Sequence, residues 1–198
     1  MFNIQYLLKH GAQQRHYSKG QIIFYEKDEV KYFFVIIKGK VKVINTNDDN
    51  KEFIQGIFYE GQSFGEPSLF TVEQTYPSTA IADSDIEILR LEKAAFLKLL
   101  KTNFDLHFET TKALAEKIQF KIIISKEISG YKPEHCLETL FQYLKDNPIK
   151  HKNKAVINLT RQELANLTGL RVETVIRAVK KLEGEGKLKI VNRKIYLE

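Results

Sequence analysis

Two side chains one helical turn apart, Glu173 and Arg177, carry the chemistry most easily read from this chain. They lie in TRQELANLTGLRVETVIRAVKKLE, residues 160–183. A carboxylate accepts from the cytosine amino group and a guanidinium donates two hydrogen bonds to guanine, so such a pair on an exposed helix can read a base step in a DNA major groove. On an ordinary helix the same spacing gives a solvated ion pair. The flanking residues favour the first reading. Thr160 and Glu163 stand in capping-box spacing, which starts a helix there. Thr168-Gly169-Leu170 supplies a tight turn, and a second helix is expected from about Arg171 to Glu183. On it Val172, Val175, Val179 and Leu182 gather on one face while Glu173, Arg177 and Lys180 project from the other. Two short helices joined through glycine predict a helix-turn-helix. Arg171, Thr174 and Lys181 complete the set of candidate DNA contacts on the second helix. Downstream, KLKIVNRKIYL reads as two brief strands around Asn192-Arg193, a wing with Lys187, Lys189, Arg193 and Lys194 available to phosphates.

A second stretch, FGEPSLFTVEQTYPSTAIA at residues 64–82, has the composition of a binding loop: a glycine turn at Gly65, an acid at Glu66, and hydroxyls at Ser78 and Thr79 after Tyr76. Its surroundings are hostile to anions. No Lys or Arg occurs between Lys51 and Arg90, whereas Glu52, Glu60, Glu66, Glu73, Asp83, Asp85 and Glu87 are all acidic. A charged hydrogen bond to a phosphate contributes about 1.5–3 kcal/mol, so its absence weakens binding roughly ten- to over a hundredfold. The long helix further on offers Lys121 or Lys126 as cations and Ser125 as a hydroxyl.

Other chemistries find little support. The single cysteine, Cys136, excludes a disulfide framework and a multi-cysteine metal or iron–sulfur site within one chain, and reads as a small core filler. His10, His16, His107, His135 and His151 show no ligand-like arrangement, and residues 21–90 hold no histidine for a metal-binding β-barrel enzyme. No nucleophile–base spacing stands out. No catalytic residues, metal ligands or evident cofactors are therefore expected, and the chain is not expected to be an enzyme. The net charge of +6 is uneven: residues 1–130 hold 17 Lys and Arg against 17 Asp and Glu, and residues 131–198 hold 14 against 8. The whole surplus lies in the last third, which points to a polyanion partner there. No apolar run approaches the roughly 18–20 residues that span a bilayer, and the N-terminus does not read as a signal peptide. A cytoplasmic protein without a membrane partner is the expectation. The rival reading is a ligand-binding signalling module whose basic tail docks a protein or membrane surface.

The elements that must position these residues follow from periodicity. Between Gln21 and Arg90, runs such as QIIFYE, YFFVII and VKVIN, broken at Lys38-Gly39, Asn47-Asp48-Asp49-Asn50, Glu60-Gly61 and Gly65, predict short antiparallel strands closing into a small β-roll. Residues 92–101 read as a short helix and residues 103–129 as a long one. On the long helix Thr111, Leu114, Ile118, Ile122 and Ser125 form one stripe, with Ala113, Phe120 and Ile124 on a strip beside it. Two apolar sides need two partners, and a second copy of the chain is the natural other, giving a homodimer. Gly130-Tyr131-Lys132-Pro133 ends that helix and reads as the hinge, and a helix over about 134–146 closes before Asn147-Pro148. The expected fold class is α+β: a jelly-roll-like antiparallel β-roll sensor (1–102), a dimerisation helix and hinge (103–130), and a winged helix-turn-helix (131–198).

These features together resemble the Crp/Fnr family of bacterial transcription regulators, the similarity covering essentially the whole chain and being sharpest over residues 160–183. The resemblance implies that Thr160, Arg161 and Gln162 meet phosphates at a helix N-terminus, that Glu173 and Arg177 contact bases, and that RNA polymerase is a candidate partner alongside double-stranded DNA. Where the family's cyclic-AMP receptor has a second base-reading arginine, this chain has Val172, similar to the fumarate and nitrate regulator, so half-sites of TTGA type are expected. Ile176 departs from the polar residue that regulator uses before its arginine. Gly65-Glu66 look like the phosphate-binding turn of cyclic-nucleotide domains, with the acid on the ribose. Tyr76-Pro77 fall where an arginine-serine pair would grip the phosphate, and proline has no N–H to donate. The effector pocket would then draw on Gly65, Glu66, Tyr76, Ser78, Thr79 and Ser125, and cyclic AMP is not the expected effector, whose identity is left open.

Overall fold

The computed structural model describes residues 2–146 and 156–197. Asn147-Pro148 and His151 lie outside the described residues. The chain divides into two compact units that part between Lys117 and Ile118.

The first unit is the expected roll. A short helix α1 (Ile4–Lys9) precedes β1 (Gln13–Tyr17), β2 (Ile22–Phe24), β3 (Tyr32–Lys38), β4 (Lys40–Thr46), β5 (Glu52–Tyr59), β6 (Ser63–Phe64), β7 (Thr79–Ala82) and β8 (Ile86–Glu92). They form two four-stranded sheets, ordered β1-β8-β3-β6 and β2-β7-β4-β5, antiparallel throughout. The continuous apolar run Phe33–Ile36 is buried at every position because β3 is covered on both faces. Phe33 stacks on Phe96 of helix α2 (Lys93–Thr102), while Phe34 stacks on Phe24 and Phe64 inside the roll. In β4, Val41-Lys42-Val43 alternates as expected at Val41 and Lys42, but a register shift between Val43 and Ile44 resets the pattern, so Ile44 is the next buried residue. Thirteen residues before β7, a one-turn 3-10 helix at Glu66–Leu69 follows Gly65, which sits at φ 74°.

Helix α3 runs from Phe104 to Gly130, with the Asn103 side chain accepting from the Leu106 N–H at its start. Its two apolar strips have different fates. Ile124 is buried and Ala113 and Phe120 are half-buried, whereas Ile118 and Ile122 are 61% and 62% exposed and Thr111 and Ser125 lie on the surface beside them. Phe104 and Phe108 extend the exposed stripe towards the helix start.

The second unit continues with α4 (Pro133–Asp146), β9 (Val156–Ile157), α5 (Arg161–Thr168), α6 (Val172–Gly184), β10 (Leu188–Val191) and β11 (Lys194–Leu197). Proline opens α4, where its missing N–H is no loss, and Cys136, Leu137, Leu140, Phe141 and Leu144 form the buried face. Burial and the nearby Glu127 carboxylate push the Cys136 thiol up to about 11, which fits an inert core residue. The wing has one strand more than its sequence predicts: β9 pairs with β11, giving the order β10-β11-β9.

Candidate functional site

The helix-turn-helix is built by local interactions. The Thr160 hydroxyl accepts from the Glu163 N–H at 3.1 Å and the Glu163 carboxylate accepts from the Thr160 N–H at 2.7 Å, so the capping box closes both ways at the start of α5. Gly169 ends α5 in the left-handed region, φ 72°, where glycine carries no Cβ penalty. Arg171 then takes an extended conformation as the N-cap of α6. Val175, Ala178, Val179 and Leu182 are buried, and α6 packs against α4 and α5. Val172, expected on this apolar face, is only half-buried because it stands in the first turn.

The opposite face of α6 is polar and open. Glu173, Arg177 and Lys180 are exposed, and among the described residues none of them carries an ion pair. Thr174 is half-buried and Arg171 exposed. Lys181 is also exposed, but its ammonium reaches the Glu134 carboxylate at 3.0 Å. At the N-terminus of α5, Thr160 and Gln162 face solvent, and the Gln162 amide donates to Asn166 Oδ1 at 2.8 Å. Arg161 is half-buried; burial works against its charge and the nearby Glu183 works for it. On the wing Lys187 is exposed and engaged by Glu138 at 2.6 Å and Glu185 at 3.2 Å, which raise its affinity for a proton, and Arg193 and Lys194 are exposed at the tip.

Inside the roll, Glu66 is fully buried. Its Oε1 accepts from the Ser63 hydroxyl at 2.7 Å and from the ammonium of Lys117 on α3, which also donates to the Ser63 carbonyl at 3.0 Å and lies 5.0 Å over the Phe58 ring. The other oxygen, Oε2, is buried without a hydrogen-bond partner. The cation that meets Glu66 is Lys117, a residue the sequence reading did not single out. Burial pushes the Lys121 ammonium down to about 8.

The remaining pocket candidates do not converge on Glu66. Tyr76 is buried, stacked 3.6 Å from Phe24, with its hydroxyl donating to the Tyr32 carbonyl at 3.3 Å; burial pushes its phenol well above the ordinary range. A Cβ on Gly65 would stand 3.2–3.3 Å from these two rings, so the glycine lets the turn press onto them. The Ser78 hydroxyl donates to Asn45 Oδ1 at 2.8 Å, and Thr79 Oγ1 accepts from the Glu26 N–H at 3.0 Å. Both hydroxyls stitch β7 to its neighbours. Ser125 is exposed on the part of α3 that belongs to the second unit.

Comparison with known proteins agrees with this division. Residues 14–103 match the model of the cyclic nucleotide-binding domain and residues 137–198 the Crp-like helix-turn-helix domain. The chain belongs to the Crp/Fnr family. Similar curated proteins are the cAMP-activated global transcriptional regulator CRP of Pasteurella multocida, 29% identical over 92% of this chain and 88% of that protein, and the cAMP-activated global transcriptional regulator Vfr of Pseudomonas aeruginosa, 27% identical over 91% and 86%. Among solved structures, a CooA mutant from Carboxydothermus hydrogenoformans covers 100% of this chain and 87% of its own at TM-score 0.78 and 19% identity. The c-di-GMP responsive regulator CLP of Xanthomonas campestris covers 98% of each chain at TM-score 0.75 and 20% identity. As a Crp/Fnr protein this chain is a DNA-binding transcription regulator rather than an enzyme. Among its described residues no helix is long and apolar enough to cross a membrane.

Sequence reasoning missed Lys117, and nothing local marks it. It lies 51 residues from Glu66, on a helix dense in lysine. The usable signal was the buried acid itself: a carboxylate enclosed by an apolar roll needs a cation from somewhere, but the sequence does not say which lysine supplies it.

Proposed function

We propose that this Crp/Fnr protein acts as a symmetric dimer whose two α6 helices enter successive major grooves of an inverted repeat with TTGA-type half-sites, and that its roll does not take cyclic AMP as effector. The observation that carries the DNA reading is the exposure of Glu173 and Arg177 together on α6, one turn apart and without an ion pair among the described residues. Glu173 reads a cytosine amino group and Arg177 a guanine, with Val172 contributing no second guanine contact. Thr160, Arg161 and Gln162 at the start of α5, with Arg171, Thr174, Lys180 and Lys181 on α6, hold the phosphates or flanking base edges. The exposed stripe of Phe104, Phe108, Ile118 and Ile122 on α3 supports the dimer, since so large an apolar strip on one helix is suited to a second copy of itself. The basic last third is the DNA-binding domain, 131–198, and the compartment is the cytoplasm, where RNA polymerase is the further partner.

Against cyclic AMP stand Tyr76-Pro77 where the family's arginine-serine pair would lie, and the Glu66 carboxylate, already joined to Lys117 and Ser63. A ribose hydroxyl would have to displace that ammonium, and the cyclic phosphate would find no arginine.

Selection from a random duplex library, followed by gel shifts with and without cyclic AMP, tests both parts. The expected consensus is a TTGA-type palindrome whose affinity is unchanged by cyclic AMP. Equal affinity for the palindrome and random duplex sinks the DNA reading, and micromolar or tighter cyclic AMP binding in calorimetry sinks the effector reading. Ile122→Asp should sediment as a monomer and lose affinity for the palindrome.

A further inference from the structure

Ile176 has no role in what precedes. It lies on α6 three residues after Glu173 and four before Lys180, hence on the same side of the helix as both, and immediately precedes Arg177. At 40% exposed it is separate from the buried set of Val175, Ala178, Val179 and Leu182, so the packing of the domain does not require it. A large β-branched residue is thus held among the very charges that face the nucleic acid.

The chemistry of the major groove narrows what such a side chain can meet. The base edges there present hydrogen-bond donors and acceptors with a single aliphatic exception, the C5-methyl group of thymine. An isoleucine has no donor or acceptor to offer, and in a helix its χ1 angle is held in one strongly preferred rotamer. Its methyl groups therefore project in a fixed direction at little further entropic loss on binding.

We infer that Ile176 is a specificity-determining residue that packs against the C5-methyl of a thymine at an outer position of the half-site. The inference rests on the DNA reading above and deepens it. Glu173 and Arg177 identify the inner bases by hydrogen bonding, and Ile176 identifies an outer thymine by apolar contact. Cytosine at that place would offer no methyl, and a purine would place polar atoms against an aliphatic side chain.

The test uses the full-length protein and duplexes carrying the selected palindrome in which each thymine of the half-site is replaced, in turn and symmetrically, by uracil. Uracil differs from thymine only by the missing methyl and keeps every hydrogen bond. Wild type should bind about fourfold more weakly per half-site at one outer position, and about fifteenfold for both halves together. Ile176→Ser should bind the thymine and uracil duplexes alike. Glu173→Gln should bind less tightly overall yet keep the same thymine-to-uracil ratio, which separates methyl reading from general loss of affinity. Because Ile176 is exposed, its variant should melt with wild type, and circular dichroism checks this. A wild type insensitive to uracil at every position overturns the inference, as does an Ile176→Ser variant with undiminished discrimination. If selection returns no consensus, the DNA reading and this inference fall together; a firm consensus without methyl dependence overturns this inference alone.

Discussion

The roll and the recognition helix each hold an acid and a cation, and they treat the combination in opposite ways. Glu66 is enclosed by its sheet and met by Lys117 from the same chain, so its charge is answered internally. Glu173 and Arg177 share one exposed helix face, a turn apart, and among the described residues carry no ion pair. The physical difference lies in what surrounds each carboxylate. Burial makes an unpaired charge prohibitive, so a cation must be supplied by the fold. Water keeps an unpaired charge inexpensive on the surface, which leaves Glu173 and Arg177 available to a partner until desolvation by a groove makes their hydrogen bonds count.

The sharpest way to break this contrast is to remove the internal cation. Lys117→Met should destabilise the protein by about 3–5 kcal/mol, because it strands a fully buried carboxylate. The urea midpoint measures it, and the double variant Glu66→Gln/Lys117→Met should regain most of the loss, since a neutral amide tolerates the site. A single variant as stable as wild type would mean that the roll does not need the pair. Next in size, Arg177→Ala should weaken binding to the selected palindrome by about 1–3 kcal/mol per half-site and relax base choice, with little change on random duplex or in melting temperature. Thr160→Ala, which opens the capping box under the reading face, should lower stability by about 1 kcal/mol, read by thermal melting. Lys187→Ala, already held by Glu138 and Glu185, should alter DNA affinity less than twofold, in contrast to Arg193→Ala at the wing tip.

Two lysines a turn apart on α3 extend the comparison to pH. The Lys117 ammonium is matched by a carboxylate, whereas burial holds Lys121 down at about 8, against 10.5 for an ordinary lysine. In the window between these values the folded chain has released the Lys121 proton and the unfolded chain still binds it. Stability should therefore rise with pH there, a small slope that Lys121→Met flattens in urea titrations at successive pH values.

The helix-turn-helix was legible because its determinants are local. A capping box spans three residues, a glycine turn one, and the division of α6 into buried and open faces follows from the 3.6-residue period. The alternation of β4 was legible only as far as Val43, where the register shift intervenes. The pocket candidates were the least legible. Ser78 and Thr79 have the right chemistry for a ligand, yet Asn45 lies 33 residues from Ser78 and Glu26 lies 53 from Thr79, and no spacing rule announces such partners.

By itself the sequence determined the order of elements, the caps and turns that bound them, the basic last third and the identity of the side chains on the open face of α6. These are properties of residue type and of relations within a turn or two, which backbone geometry converts directly into position. Only the tertiary structure decided which charges are answered within the chain: that Lys117 answers Glu66, that Lys187 and Lys181 are drawn to acids of α4, and that Glu173 and Arg177 form no ion pair with a described residue. Pairing between distant residues depends on how sheets and helices pack, and packing is what brings one lysine among many to a buried carboxylate.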